Sequence, residues 1–160
     1  LASVARVGGT LTGRALLEGN AVVPLVNGEQ AYPAMLEAID RAERTLALEA
    51  YIFELDAAGE EFVAAIVRAR KRGVAARVLI DAAGSDDAVE DALRAEDVPV
   101  ARFMPIFGRR HLNLRNHRKI LVADGRVGFT GGMNLRNSHR VETAQRRELQ
   151  QQLAQTLQLL

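Results

Sequence analysis

Cysteine is absent from this 160-residue chain, which excludes a disulfide framework, a thiolate metal site and a cysteine nucleophile. Tryptophan is absent too and aromatics make up only 4%, so a stacking platform for single-stranded nucleic acid has little to be built from. No fully apolar run approaches the ~18 residues needed to cross a bilayer. No basic-led apolar stretch follows residue 1, so no secretory leader is read there; residue 1 is Leu rather than Met, which points to an upstream segment. Excess charge is lacking as well: 21 Lys and Arg against 20 Asp and Glu leave +1, so the whole chain is not a polycation. What is present is apolar material, 48% of residues, enough for one domain with a real core.

The near-neutral total hides a local imbalance. Arg109 to Lys119 carries five formal positive charges, His111 and His117, and no acid; without those five the remainder stands at −4. Asp81 to Asp97 holds seven acids and one Arg. A compact basic stretch beside Pro105 and Gly108 reads either as a solvated loop or as an anion site, most naturally for phosphate.

Periodicity along the chain predicts an α/β domain. Residues 1–20, broken by Gly8-Gly9, Gly13 and Gly19, read as irregular. Ala21 to Val26 reads as a strand closed by Asn27-Gly28. Tyr32, Met35, Leu36 and Ile39 recur at helical spacing, as do Phe62, Val63, Ile66 and Val67 before Gly73. Thr45–Phe53, Val74–Ile80 and Val98–Phe103 read as strands, and Asp86–Arg94 as an acidic helix. Ile120–Ala123 and Val127–Thr130 flank Asp124-Gly125, a hairpin signal. This order implies a mixed β-sheet flanked by helices, at least partly parallel. After Ser138 the chain is polar and Gln-rich, with Leu149, Leu153, Leu157 and Leu160 on one helical face. That helix either packs on the sheet or seeks a partner, and its Gln-rich polar face does not favour a membrane surface. The division is therefore 1–20 irregular, 21–137 the chemistry-bearing domain, and 138–160 a C-terminal helix.

The chemistry lies around the hairpin. His117 and Lys119 are two apart, so they share a face where the strand begins, and Asp124 closes that strand. Gly131-Gly132-Met133-Asn134 follows, small residues that let backbone approach a ligand and an amide that can donate to it. These groups suit a phosphodiester. Lys119 and Asn134 can neutralise and orient its non-bridging oxygens. A neutral imidazole on His117 can attack phosphorus and form a phosphohistidine. A second group must then protonate the leaving alcohol and later deprotonate the acceptor. No metal or cofactor is called for. His111 has no matching Lys and is a weak candidate for that second group. Asp124 serves either the chemistry or, as Asp often does in such turns, the local structure. Glu49, inside an otherwise apolar strand, must be paired.

At these residues the chain resembles the phospholipase D superfamily, whose signature is His-x-Lys-x4-Asp-x6-Gly-(Gly/Ser)-x-Asn. His117, Lys119, Asp124, Gly131, Gly132 and Asn134 meet every spacing, with Gly132 where some members have Ser. The stretches Asn27–Ala34, Leu48–Phe53 and Arg115–Ile120 are further similar to the first half of bacterial cardiolipin synthases, and the match runs from about Gly19 to Asn134. The resemblance implies two halves that each give a His/Lys/Asn set to one site, one His as nucleophile and the other as acid/base. It implies transfer of a phosphatidyl group from a phospholipid such as phosphatidylglycerol to an alcohol, at the cytoplasmic side of a bacterial membrane with peripheral contact. It also implies that Glu49 approaches the site and orients an imidazole; the alternative is pairing with an Arg. Arg115, with Lys119, Asn134 and Gly132, is expected at the phosphate, and Asn116 beside it in support; Arg115 and Asn116 could instead only shape the loop. Only one signature is present, so a second half comes from a homodimer or from sequence outside this chain. Two other readings stay open: a homodimeric phosphodiesterase using water on lipid or, less favoured, nucleic acid, and an incomplete half that binds anionic phospholipid without turnover.

Overall fold

In a computed structural model, residues 2–13, 19–104 and 115–140 are described. Helix α1 spans Ala2–Thr12, α2 Asn27–Arg41, α3 Ala57–Lys71 and α4 Asp87–Arg94. Strands are β1 Thr45–Ala50, β2 Ala75–Asp81, β3 Val100–Phe103, β4 Ile120–Ala123 and β5 Val127–Thr130, and a 3-10 turn covers Asn137–His139. The sheet order is β3-β2-β1-β4-β5. β1, β2 and β3 are parallel, while β4 runs antiparallel to both β1 and β5. The expected mixed α/β sheet with flanking helices is what forms.

Alternation explains the layers. Leu46, Leu48 and Ala50 on β1 and Ala76, Val78 and Ile80 on β2 are buried. Between them Thr45, Ala47, Ala75 and Arg77 are exposed on the opposite face. The buried face joins Tyr32, Ile39, Phe62, Ile66, Val89 and Leu93 from α2, α3 and α4 in one core. Tyr32 and Phe62 meet edge to face, with centroids 5.3 Å apart. Asp56 caps α3 by accepting from the Ala58 and Gly59 amides at 3.1 Å each.

Two expectations are overturned. Residues Ala2–Thr12 form a helix, not an irregular segment: Gly8 and Gly9 lower helix propensity by about 1 kcal/mol each but do not forbid it. The helix stops where Gly13 turns left-handed, φ +64°. Ala21–Val26 is no strand, and Val22 is 91% exposed. An apolar run becomes a strand only against a neighbouring backbone, and none of the five strands pairs with it. Of the expected helix over 138–160, residues 138–139 belong to the 3-10 turn and 141–160 lie outside the described residues.

Candidate active site

The site assembles just past the C-terminal end of β1, at Tyr51 and Ile52. The Gly131–Leu135 loop returns alongside this stretch: Leu135 N–H donates to Ile52 O at 3.0 Å and Glu54 N–H to Leu135 O at 3.1 Å. Asn134 Oδ1 accepts from Ile52 N–H at 3.3 Å, which leaves its amide NH2 free to donate elsewhere. The buried Tyr32 hydroxyl pins the same loop from α2, 2.7 Å from Asn134 O and 2.8 Å from Arg136 O, and burial raises its pKa. The His117 ring stacks on Tyr51, with centroids 4.0 Å apart and planes at 26°. Lys119 Nζ lies 5.1 Å from the Tyr51 ring centroid and donates to His117 O at 2.8 Å. Burial lowers the Lys119 pKa. His117, Lys119 and Asn134 thus converge on one dipeptide. Gly131 and Gly132 are exposed, and a Cβ on either would meet nothing, so packing among the described residues does not demand their smallness.

The segment leading to His117 is tied down residue by residue. The Arg115 side chain is only 8% exposed, its Nη1 3.3 Å from Asp81 Oδ1 and 3.2 Å from Met104 O. This corrects its expected place at the phosphate: a guanidinium so enclosed needs a fixed counter-charge, and the Asp81 carboxylate supplies it. Asn116 Nδ2 donates to Glu49 Oε1, and Asn116 Oδ1 accepts from Arg118 N–H at 3.2 Å. Among the described residues Glu49 therefore reaches an amide, neither the imidazole nor the Arg foreseen for it. His111, Arg109 and Arg110 lie outside the described residues.

Asp124 stands at the other end of the sheet, a strand length or roughly 20 Å from Tyr51 at ~3.3 Å per residue. Its Oδ1 accepts from the Arg44 and Thr45 amides at 2.8 Å each, and its Oδ2 from Glu43 N–H at 2.9 Å. Asp124 and Gly125 both take positive φ, 54° and 65°, as a type I′ turn requires. A catalytic place for Asp124 is overturned by this geometry, since the carboxylate caps the entry to β1. The Thr45, Glu43 and Arg44 amides hold its pKa down to about 2. A depressed folded pKa stabilises above the unfolded value, near 4, and the benefit disappears as pH falls through about 2. Asp124→Asn is expected to lower stability at neutral pH and to flatten the loss of stability between pH 4 and 2, measured by urea denaturation across that range.

Tyr51 is the residue that sequence reasoning missed, hidden in an apolar strand-like run. Its proximity to the signature needs the β1–β4 pairing, Glu49 opposite Ile120, to become visible.

A mixed sheet with a His-Lys pair and an Asn gathered past a central strand defines a phospholipase D-type domain. The family described as the cardiolipin synthase phospholipase D-like domain matches residues 35–156, and the chain belongs to it. Cardiolipin synthase B from Shigella flexneri and that from Escherichia coli K12 are each 40% identical over 129 residues, 76% of this chain. Cardiolipin synthase from Geobacillus kaustophilus is 38% identical over 117 residues. The chain spans only 31% of the first two and 23% of the third. Among solved structures it is similar to Nuc, a phospholipase D family member from Salmonella typhimurium (25% identity, TM-score 0.56, 69% of this chain and 68% of that one). NucT from Helicobacter pylori shares the fold at 15% identity, with TM-score 0.50, over 67% of this chain and 68% of that one.

Proposed function

We propose that the chain is one catalytic half of a phosphatidyltransferase of cardiolipin synthase type. The observation that carries this is the convergence of His117, Lys119 and Asn134 on Tyr51–Ile52 in a chain of that family. In the first step a His117 ring nitrogen attacks the phosphorus of a phospholipid, and the bond to the leaving alcohol breaks. The Asn134 NH2, without a partner among the described residues, and the Lys119 ammonium carry the charge that gathers on the non-bridging oxygens. The alcohol leaves with a proton from an acid that the second half supplies. In the second step the same group takes the proton of an acceptor alcohol, whose oxygen displaces His117. Arg115 and Glu49 hold the His117 segment and touch no substrate; Asn116 links Glu49 to that segment. The partners of this reading are a phosphatidylglycerol-like lipid, a second His-x-Lys half and the bilayer surface, reached peripherally at the cytoplasmic face. No helix among the described residues is long and apolar enough to cross a membrane.

The test is incubation with phosphatidylglycerol vesicles while light scattering reports the oligomeric state. A self-paired chain is expected to release glycerol and form cardiolipin. A monomer is expected to be inert until mixed with a half bearing its own His-Lys pair. Phosphatidic acid without cardiolipin assigns water as the acceptor. A dimer that yields neither product refutes the transfer.

A further inference from the structure

Tyr51 is where the proposed nucleophile and its cationic neighbour meet, yet no step above uses it. Its ring is half-buried past the end of β1, so it is not core filler. Its backbone is fixed instead. Ser85 Oγ donates to Tyr51 O at 3.1 Å, and Gly84 comes so near that a Cβ there would sit 2.4 Å from the same oxygen. Ser85 Oγ also accepts from Phe53 N–H at 3.1 Å, and Asp86 Oδ2 accepts from Leu55 N–H at 2.9 Å. The loop after β2 therefore clamps residues 51–55.

An imidazole that attacks phosphorus must present a nitrogen lone pair, which lies in the ring plane, along the axis of the breaking bond. A ring stacked on its face fixes that plane and leaves the nitrogen-bearing edge open. The same phenol offers its electron-rich face to an ammonium, and the Lys119 Nζ lies within the range of that attraction. Resting on His117 as the nucleophile, we propose that Tyr51 is a positioning residue: its ring holds the His117 imidazole plane and the Lys119 ammonium in the geometry of attack. Tyr51 forms no bond to substrate, and its aromatic ring rather than its hydroxyl does the positioning.

The test compares the wild type with Tyr51→Phe and Tyr51→Leu, using 13C-histidine labelling with the three His resonances assigned by single substitution. Vanadate, a mimic of pentavalent phosphorus, is titrated while the His117 resonances are followed; turnover on phosphatidylglycerol vesicles is measured in parallel. Tyr51→Phe is expected to keep the upfield ring-current shift of His117, its vanadate affinity and its kcat. Tyr51→Leu is expected to lose the shift and to drop vanadate affinity and kcat about tenfold, with KM nearly unchanged. Equal vanadate affinity in wild type and Tyr51→Leu overturns the proposal, as does an equal fall in Phe and Leu, which would assign the effect to the hydroxyl. Ring-dependent vanadate binding without turnover by a paired wild type overturns the transferase reading and leaves the positioning role standing. Turnover indifferent to Tyr51→Leu does the reverse.

Discussion

His117→Asn is expected to abolish phosphatidyl transfer, by at least about a thousandfold, while the protein stays folded. The size follows from the role. Removing the nucleophile removes the covalent intermediate itself, whereas removing a charge-bearing neighbour only raises the barrier to forming it. The folding side of the expectation rests on placement. His117 is exposed, and its ring stacks on Tyr51, outside the core. The segment around it is held by Arg115, Asn116 and Lys119, all left intact. Two measurements decide it: release of glycerol from phosphatidylglycerol vesicles, and acid-labile phosphate trapped on the protein from labelled lipid. Wild type is expected to carry the label and His117→Asn to carry none, with unchanged thermal unfolding. Label in the variant would move the nucleophile to another residue.

The layered fold was legible because it depends on local pattern. Leu46, Leu48 and Ala50 alternate with exposed neighbours, and Asp124-Gly125 can hardly be anything but a hairpin turn. The chemical signature was legible for a similar reason, since His117 and Lys119 are two residues apart on one segment and Asn134 ends the loop after the hairpin. What resisted reading depends on partners distant in sequence. Ala21–Val26 has strand composition but no strand beside it among the described residues. Glu49 meets Asn116 across 67 positions, and Tyr51 meets His117 only because β1 and β4 pair. Asp124 lay in between: its turn was evident, its grip on three amides of the β1 entry was not. Within the acidic run only its helix was foreseen; two of its acids serve backbone, Asp81 Oδ1 accepting from the Ala83 and Gly84 amides at 2.8 and 3.2 Å and Asp86 from Leu55, while Asp87 and Glu90 pair with Arg102.

Arg115→Met is expected to destabilise the fold by about 3–5 kcal/mol, since it strands a buried carboxylate. That is a large share of the ~5–15 kcal/mol that holds a domain of this kind together. Asp81 is 2% exposed, and its Oδ2 has no hydrogen-bond partner among the described residues, so the Arg115 guanidinium is the counter-charge that its carboxylate has there. Adding Asp81→Asn to Arg115→Met is expected to recover most of the loss: the neutral amide keeps an oxygen for the Ala83 and Gly84 amides without a charge to satisfy. Asp81→Asn alone leaves the guanidinium buried beside a neutral group and falls between the two. Urea denaturation of the four proteins yields the coupling directly, and a positive interaction between the sites is the signature of a structural lock. A headgroup-binding Arg115 would behave otherwise, with unchanged stability in Arg115→Met and a raised KM for phosphatidylglycerol. The lock also bears on the chemistry. Arg115 stands two residues before His117, so its bond to the end of β2 fixes where the segment bearing His117 begins. A gain of stability in the double variant without recovery of kcat would separate that anchoring from the charge pairing that holds the fold.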